Sequence, residues 1–268
     1  MGVVNVTPDS FHERSRTVVV DLAVAAAERQ IADGADVLDI GGESTRPGAS
    51  PVAVDAELAR VLPVVEALHA RGCPVPISID TYKAAVARAA VAAGASVVND
   101  IAGGLLDAGM AATVAALGVP VIVGHLRGTP ASMGAHASYR DLLAEVRDEF
   151  AARVAAFLAA GVNETQILID PGVGFAKNAA DNLTLLRRLD ELHVLGRPIV
   201  VGVSRKRFIG EAMRAAGLAG GAGAEQRLEG SLAAAVLAAA RGAALIRTHD
   251  VAETRRALAI ADAILHEA

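Results

Sequence analysis

Residues 108–126 read AGMAATVAALGVPVIVGHL, and they contain one complete unit of the pattern that decides the fold. The stretch has no Asp, Glu, Lys or Arg and approaches the length of a bilayer-spanning helix. Gly118 and Pro120 divide it, because glycine favours a helix end and proline does not continue a helix. The stretch therefore predicts the end of a helix, a left-handed glycine and a short strand.

The same order of helical stretch, glycine and short β-branched run recurs along the chain. Gly34, Gly94, Gly161 and Gly242 each precede a further run. The eight candidate strands are residues 2–6, 36–40, 76–79, 96–98, 120–123, 166–169, 198–201 and 244–246. Strands that alternate with helices imply parallel pairing through crossover connections. Eight such units favour an α/β fold of the closed (β/α)8 TIM-barrel type over an open doubly wound sheet, which usually has fewer strands.

Composition limits the classes of protein that this chain can belong to. Its 268 residues suit one barrel domain spanning residues 1–268. A formal net charge of −5 argues against a partner such as nucleic acid or an anionic membrane, since both require a basic surface. Cys73 is the single cysteine, which rules out an internal disulfide and agrees with a reducing compartment. We therefore expect a soluble, cytoplasmic protein.

Polar residues follow every candidate strand. In such barrels the active site lies at the carboxyl ends of the strands. The residues at these ends are Asn5, Asp39, Glu43, Asp80, Asn99, Asp100, His125, Asp170, Ser204, Lys206, Arg247 and His249. Asp, Asn and Ser are also common as turn residues and helix caps, and for any one of them capping has roughly even odds. Capping does not explain the histidines, the lysine or the arginine, so the set as a whole predicts a site.

Two groups of these residues suggest an anion. Arg247 and His249 are two positions apart after a strand, so they share a face if the chain stays extended. Residues 204–207, SRKR, place three cations where a helix start would add backbone N–H donors. A solvated basic turn is the alternative for the second group.

Two carboxylates suggest recognition of a heterocycle. Asp80 and Asp170 end the apolar runs ISID and ILID, so we expect both at the barrel mouth. With Asn99, which both donates and accepts hydrogen bonds, they would suit a ring edge rich in N–H groups.

Several longer motifs identify a family. They are NVTPDSF at 5–11, ESTRPG at 43–48, SIDTYK at 78–83, VNDI at 98–101, DPGVGFAKN at 170–178, SRK at 204–206 and RTHDV at 247–251. In order and spacing, over essentially the whole chain, the sequence resembles the dihydropteroate synthases, a family of pterin-binding enzymes. The resemblance implies a transferase of folate biosynthesis that uses Mg²⁺, acts as a homodimer through its late helices and is a target of sulfonamides.

The resemblance also implies a reaction. The family joins 6-hydroxymethyl-7,8-dihydropterin pyrophosphate to p-aminobenzoate, giving 7,8-dihydropteroate and pyrophosphate. Departure of pyrophosphate leaves a cation stabilised by the pterin ring, which the neutral aryl amine then attacks. No protein nucleophile is required, so catalysis would come from positioning, charge neutralisation and exclusion of water.

Roles for individual residues follow from the same resemblance. The catalytic group is Lys206, Asp80, Arg247 and His249. The pterin would contact Asp80, Asn99, Ile101, Asp170, Gly202 and Lys206. The pyrophosphate would contact Asn5, Arg247 and His249, with Asn5 also near its Mg²⁺. The p-aminobenzoate would contact Thr45, Arg46, Pro47, Phe175 and Lys206, and Asp9, Phe11 and Glu13 would close the first loop.

The chain departs from the family pattern in its first loop, at Gly124 and at Arg207, where many members have Ser. After Phe11 the family usually has SDGG, whereas this chain has HERS at 12–15, which removes both glycines. We hypothesise a slower or differently closing first loop; unchanged kcat/KM after restoring glycine at Arg14 and Ser15 would reject this. Gly124 stands where the family often has a bulky residue against the pterin, which predicts a looser wall.

Three other functions compete with this one. A pterin-dependent methyltransferase domain uses a similar barrel but gives no reason for ESTRPG, SRK or RTHDV. A non-catalytic pterin-binding paralogue would account for the altered first loop. An aldolase would use Lys206 as a Schiff base, since neighbouring cations can lower a lysine pKa.

Overall fold

Eight parallel strands form the centre of the molecule. The computed structural model describes residues 1–6, 16–221 and 223–265. The strands are β1 (Gly2–Asn5), β2 (Leu38–Gly41), β3 (Ile77–Asp80), β4 (Val97–Asp100), β5 (Val121–Gly124), β6 (Ile167–Asp170), β7 (Ile199–Gly202) and β8 (Ala243–Arg247). They pair in chain order from β1 to β8, all in parallel.

Contacts between β8 and β1 close this sheet into a barrel. Gly2 and Thr248 form a parallel bridge. The backbone N–H of Val3 donates to the Thr248 carbonyl at 3.1 Å, and Thr248 N–H donates to the Met1 carbonyl at 2.9 Å. The Met1 ammonium donates to the Ile246 carbonyl at 2.9 Å. The predicted eight-stranded closed barrel is confirmed.

Helices connect the strands and cover the outside of the barrel. They are α1 (Arg16–Ala32), α2 (Val54–Ala70), α3 (Ala84–Ala92), α4 (Met110–Leu117), α5 (Leu142–Ala159), α6 (Ala179–Arg187), α7 (Arg207–Ala215), α8 (Leu228–Ala240) and α9 (Val251–Leu265). Each strand-to-strand crossover therefore carries a helix, and the crossover from β7 to β8 carries two. Among the described residues, none of the helices has the length and apolar character needed to span a membrane.

Glycines end the helices where the sequence predicts. Gly118 has a φ of +66° and caps α4, so residues 108–126 contain a helix and then β5. Positive φ also occurs at Gly34, Gly94, Gly161 and Gly242, which confirms the predicted glycines between helix and strand. The strand boundaries differ from the prediction, since most strands continue through the polar residue at their end. Backbone pairing persists there, as in the pair of Asp80 with Asn99.

Successive side chains of each strand point alternately outward and inward, and they form two separate apolar regions. Outward-facing residues such as Ile79, Val121 and Ile169 pack under the helices in the main core. Inward-facing residues such as Ile122 and Val200 form a smaller apolar cluster with Met1 inside the barrel. The barrel interior is therefore filled at one end, as expected for this architecture.

The inward-facing residues fall into two sets that recur below. The mouth set contains the last inward-facing residue of each strand: Asn5, Gly41, Asp80, Asn99, Gly124, Asp170, Gly202 and Arg247. The floor set lies two positions earlier on each strand: Val3, Asp39, Ser78, Val97, Ile122, Leu168, Val200 and Leu245. The mouth set borders the loops in which the sequence predicts the site.

The last helix, α9, buries only part of its apolar surface. Val251, Thr254 and Ala261 of α9 are buried, whereas Ile260 and Ile264 are 65% and 77% exposed. These two large aliphatic residues lie on the outer surface of the helix. They leave an apolar patch rather than a packed contact.

Candidate active site

A cleft opens at the carboxyl ends of the strands. It has a volume of about 390 Å³ including the part open to solvent. The residues that line it are Thr45, Asp80, Asn99, Ile101, Gly124, His125, Asp170, Gly172, Phe175, Gly202, Lys206 and Arg247. Six of them belong to the mouth set. The structure thus brings together residues from seven consecutive strands or the loops after them.

A buried ion-pair network forms one wall of the cleft. The Arg247 guanidinium donates from Nε to Asp39 Oδ2 at 2.6 Å and from Nη2 to Asp80 Oδ2 at 2.7 Å. Asn99 Nδ2 also donates to Asp39 Oδ2, at 2.9 Å. Burial raises the pKa of Asp80, and the charge of Arg247 opposes that rise. The network fixes both the arginine and the amide within the barrel.

The opposite wall contains Asp170 and Lys206. Asp170 Oδ1 accepts a hydrogen bond from Gly172 N–H at 2.8 Å. Burial raises the pKa of Asp170, although the charge of Lys206 acts against this rise. Burial lowers the pKa of Lys206 to about 8. The lysine Nζ donates to the Val173 carbonyl and lies 4.9 Å from the centroid of the Phe175 ring. An aromatic face and a cation therefore meet at this side of the cleft.

The end of β5 forms a tightly packed wall. A Cβ at Gly124 would lie 2.4 Å from the Ile101 carbonyl oxygen and 2.5 Å from Ile101 Cα. The backbone after β4 thus occupies the space that a side chain at position 124 would need. The expectation of a looser wall at Gly124 is therefore wrong, because the main chain of Ile101 fills it.

His125 lines the cleft but is otherwise enclosed. Its side chain has no solvent exposure, and its ring centroid lies 5.6 Å from that of Phe150. Burial lowers the pKa of His125 to about 3, so the imidazole is neutral near pH 7. Nδ1 lies 2.9 Å from Lys177 Nζ, and Nε2 lies 3.2 Å from Glu149 Oε2. The second contact lacks the geometry of a hydrogen bond.

Only one of the three cations in residues 204–207 faces the cleft. Lys206 immediately precedes α7 and lines the cleft. Arg205 turns away, donating from Nε to Asp250 Oδ2 at 3.0 Å. Arg207 has a side chain that is 74% exposed and pairs with Glu211 at 2.9 Å. The predicted basic turn is therefore divided between the site and the solvated surface.

Some predicted site residues do not line the cleft. Arg46 and Pro47 are exposed on the loop after β2 and directly follow the cleft-lining Thr45. Asn5 is half-buried at the end of β1. His249 Nδ1 lies 3.1 Å from Ser204 Oγ, and burial lowers the pKa of His249 to about 4. The residues predicted to close the first loop, Asp9, Phe11 and Glu13, lie outside the described residues.

A charged cluster fixes the start of the loop after β2. Lys83 Nζ donates to Glu43 Oε2 and to Glu57 Oε2. Tyr82 Oη donates to Glu43 Oε1 at 2.6 Å. Both carboxylates are buried, and burial raises the pKa of Glu57. The cluster holds the chain two residues before Thr45.

Sequence reasoning gave no role to two residues that the structure connects to the cleft. Asp39 appears in the sequence only as one polar residue near a strand end, yet it anchors both Arg247 and Asn99. Lys177 appears only as a letter in the motif at 170–178, yet it contacts a cleft-lining histidine. A charged residue within an otherwise apolar strand was an available signal for Asp39. A lone lysine in a glycine-rich turn was a weaker one for Lys177.

Comparisons with known proteins agree on one family. The sequence profile of the pterin-binding enzymes matches residues 1–249. The dihydropteroate synthase of Escherichia coli strain K12 is 43% identical over 265 residues, which cover 99% of this chain and 91% of that protein. This sequence identity and coverage are far higher than those of proteins that share only the barrel fold.

Solved structures give the same result. The dihydropteroate synthase of Xanthomonas albilineans with 4-aminobenzoic acid is 47% identical, with a TM-score of 0.89, and the match covers 98% of this chain and 92% of that one. The enzyme of the same organism in complex with 7,8-dihydropteroate is 45% identical, with a TM-score of 0.87 and the same coverage.

Proposed function

We propose, since this chain belongs to the dihydropteroate synthase family of pterin-binding enzymes, that its strand-end cleft joins 6-hydroxymethyl-7,8-dihydropterin pyrophosphate to p-aminobenzoate. The products would be 7,8-dihydropteroate and pyrophosphate. The C–O bond between the pterin methylene and pyrophosphate breaks, and a C–N bond to the aryl amine forms. The observation that carries this proposal is the convergence of Asp80, Asn99, Asp170 and Lys206 on one cleft.

These four side chains suit the polar edge of a pterin. Asp80 and Asp170 offer acceptors to ring N–H groups, and Asn99 offers both an acceptor and a donor. The Asn99 amide is already oriented, because its nitrogen donates to Asp39. Ile101 and Gly202 border the same cleft and leave space for a flat ring. Orientation of this kind lowers the entropy lost when two substrates must meet.

The pyrophosphate would lie where β8 meets β1. Arg247 supplies a cation there, held in place by Asp39 and Asp80. His249 is neutral near pH 7, because burial lowers its pKa to about 4, so it contributes a ring N–H rather than a charge. Asn5 ends the neighbouring strand. Held donors that face a developing negative charge stabilise a departing anion.

The donor set at this edge fits a Mg²⁺ that arrives with the pyrophosphate. Among the described residues, no group of three or more His, Cys, Asp or Glu side chains could hold a metal ion. Mg²⁺ commonly keeps several waters and binds through substrate phosphates with one or two protein oxygens. The Asn5 side-chain carbonyl would be such an oxygen, and the ion would neutralise charge on the leaving group.

The p-aminobenzoate would bind on the Lys206 side of the cleft. The Phe175 ring and the Lys206 ammonium lie together there, which suits an aromatic acid. Thr45 lines the same cleft, and the exposed Arg46 and Pro47 follow it on their loop. No protein nucleophile takes part in the reaction. The residues bind, orient and exclude water while the amine attacks.

A coupled assay tests this function. Purified protein receives dihydropterin pyrophosphate, p-aminobenzoate and Mg²⁺, and both dihydropteroate and pyrophosphate are measured. We expect equal amounts of the two products. Pyrophosphate-independent methyl transfer would favour the methyltransferase, and pterin binding without product would favour the non-catalytic paralogue. Trapping of Lys206 by borohydride with a carbonyl substrate would favour the aldolase.

The apolar patch on the late helices supports a homodimer. Leu237 of α8 is 60% exposed, and Ile260 and Ile264 of α9 are similarly open. An exposed aliphatic patch of this kind is typical of an interface. Sedimentation analysis should give twice the chain mass for the wild type and the monomer mass for Leu237→Glu with Ile264→Lys. A wild-type monomer at micromolar concentration would reject the homodimer.

A further inference from the structure

Lys177 is a buried lysine next to the cleft but not in it. Its side chain is 7% exposed. Nζ lies 2.9 Å from His125 Nδ1, 3.1 Å from the Phe175 carbonyl oxygen and 3.3 Å from the Gly172 carbonyl oxygen. An ammonium group has three donors, and each of these acceptors can take one. The three hydrogen bonds therefore satisfy the group completely.

The surroundings of Lys177 contain no partner of opposite charge in direct contact. Across the described ranges 1–6, 16–221 and 223–265, Lys177 Nζ forms no ion pair, and Asp170 is the anion that most opposes the effect of burial on its pKa. Burial lowers the pKa of Lys177 to about 7. An unpaired ammonium costs several kcal/mol to bury, whereas an aliphatic side chain in the same place would not. The three hydrogen bonds must offset that cost.

Each acceptor of Lys177 belongs to a residue that lines the cleft. His125 ends the wall formed by β5, and Gly172 and Phe175 bound the turn that follows β6. One ammonium group thus connects two adjacent walls. The Phe175 ring in turn lies against Lys206, so the position of this turn also affects the cation of the cleft.

The turn after β6 needs ties from outside. Gly172, Gly174 and Ala176 have positive φ values of 65°, 84° and 47°. A left-handed conformation at alanine costs about 1 kcal/mol. Besides Lys177, Tyr139 supports the turn, donating from Oη to the Ala176 carbonyl at 3.0 Å. Asp170, Asn182 and Lys206 make further hydrogen bonds to the backbone of this turn. Lys177 and Tyr139 hold its carbonyl groups at Gly172, Phe175 and Ala176.

Lys177 also determines which ring nitrogen of His125 carries the proton. When Lys177 is a charged ammonium it can only donate, so His125 Nδ1 then accepts and the neutral ring carries its proton on Nε2. That nitrogen faces Glu149 Oε2. Arg153 holds the backbone on either side, donating to the Gly124 carbonyl at 2.6 Å and the Leu126 carbonyl at 2.7 Å. The orientation of the imidazole is thereby fixed from several directions.

We propose that Lys177 is a positioning residue for the synthase reaction, which ties the β5 wall to the turn after β6 and so places Phe175 against p-aminobenzoate. This inference rests on the proposed function. It assigns the role to the three hydrogen bonds and not to the positive charge. The charged and titratable groups around Lys177 are His125, Tyr139, Glu149, Arg153, Asp170 and Lys206.

Three substitutions separate hydrogen bonding from charge. Lys177→Met keeps the length of the side chain and removes every donor, whereas Lys177→Gln is uncharged but keeps two donors. Arg88→Met is the matched control, because it removes an exposed cation and one hydrogen bond to Thr113, far from the cleft. Circular dichroism and chemical unfolding establish that each variant folds.

The proposal predicts a particular split of kinetic constants. In Lys177→Met, KM for p-aminobenzoate should rise about tenfold while kcat falls less than threefold, corresponding to one or two lost hydrogen bonds. Lys177→Gln should recover part of that loss across pH 6 to 8, and Arg88→Met should equal the wild type. An unchanged KM in Lys177→Met, or equal losses in Lys177→Gln and Lys177→Met, would overturn the proposal.

Two further measurements keep the proposal testable if Lys177→Met does not fold or if the wild type is inactive. If Lys177→Met does not fold, Tyr139→Phe decides, because it removes another tie to a carbonyl of the same turn and should raise the same KM about threefold. An unchanged KM there would also overturn the proposal. If the wild type makes no dihydropteroate, the proposed function fails separately. Nitrogen NMR of histidine-labelled wild type at pH 6, where Lys177 is charged, should then still show His125 protonated on Nε2, and protonation on Nδ1 would overturn the tie itself.

Discussion

The mouth set and the floor set of the barrel are built on the same strands, two residues apart, yet they have opposite compositions. Six of the eight floor positions are Val, Ile or Leu, and they fill the barrel interior. The mouth positions are three glycines, three carboxylate or guanidinium groups and two asparagines. The comparison teaches that a cleft arises here where small and polar residues replace aliphatic ones, without any change in backbone topology.

The one charged residue of the floor set connects the two regions. Asp39 has no solvent exposure, and its Oδ2 accepts hydrogen bonds from Asn99 and Arg247 of the mouth set. Its Oδ1 has no hydrogen-bond partner in the described part of the chain. The mouth set is therefore held by an anion placed below it. Substitutions at Arg247, Ile122 and Gly124 test how separate the two sets are, and one at Lys206 tests the cation beside the mouth set.

The largest effect is expected for Arg247→Met. It leaves the Asp39 and Asp80 carboxylates buried without a cation, which should lower the free energy of unfolding by about 3–5 kcal/mol. Loss of a cation at the leaving group should also lower kcat/KM by about 10²–10³-fold. Denaturant unfolding and the coupled assay measure these effects.

The control for that experiment is Arg241→Met. Arg241 pairs with Asp190 at 3.3 Å on the surface, where both side chains are at least 40% exposed. Removing an exposed pair should change the free energy of unfolding by less than about 1 kcal/mol. Equal losses for Arg247→Met and Arg241→Met would mean that the mouth network contributes no more than a surface contact.

Next in size is Ile122→Ala in the floor set. Ile122 is fully enclosed in the barrel interior, so the cavity should cost about 2–5 kcal/mol of unfolding free energy. Both KM values should stay within about twofold, because the residue does not line the cleft. Val194→Ala is the control, because that aliphatic side chain is 72% exposed. A large rise in KM for Ile122→Ala would show that the two sets are not separable.

A smaller effect is expected for Gly124→Ala in the mouth set. The added Cβ would collide with the Ile101 backbone and must displace it. Since Ile101 lines the cleft, KM for dihydropterin pyrophosphate should rise about tenfold, with little change in kcat. Gly134→Ala is the control, because nothing lies within 4 Å of the added Cβ. An unaltered KM would mean that Ile101 moves without affecting the pterin site.

The smallest effect concerns pH. Burial lowers the pKa of Lys206 to about 8, so the cation is present below that pH and is lost as pH rises through it. We expect kcat/KM to fall by several-fold between pH 7.5 and 9. Lys206→Arg should show lower activity but no such decline, since arginine stays charged. A decline retained in Lys206→Arg would assign the titration to another group.

The sequence predicts the barrel and most of its mouth set for a clear reason. The order of helix, glycine and β-branched run is local, and each unit repeats it, as in residues 108–126. Asp80 and Asp170 are predictable because each ends an apolar run at a known edge of the sheet. The family resemblance then supplies roles that periodicity alone does not give.

Contacts between distant segments explain what the sequence leaves open. The pairing of Asp39 with Arg247 joins residues 208 positions apart, and no local pattern predicts such a pair. The closed wall at Gly124 depends on the backbone of the preceding unit. The exposed face of α9 depends on which side of the helix meets α8 and the barrel. Each of these is a consequence of packing between units.

The junction of β8 with β1 has a consequence for local stability. It is held by backbone hydrogen bonds at Val3 and Thr248, and it adjoins Asn5 at the end of β1 and His249 after β8, where the pyrophosphate would bind. A ligand that bridges both strands would hold this junction closed. Amide hydrogen exchange at Val3 and Thr248 should therefore slow when pyrophosphate and Mg²⁺ bind, and by a larger factor than at amides of β3 or β4. Amide exchange at the junction of β8 with β1 would thus show whether the pyrophosphate site is occupied.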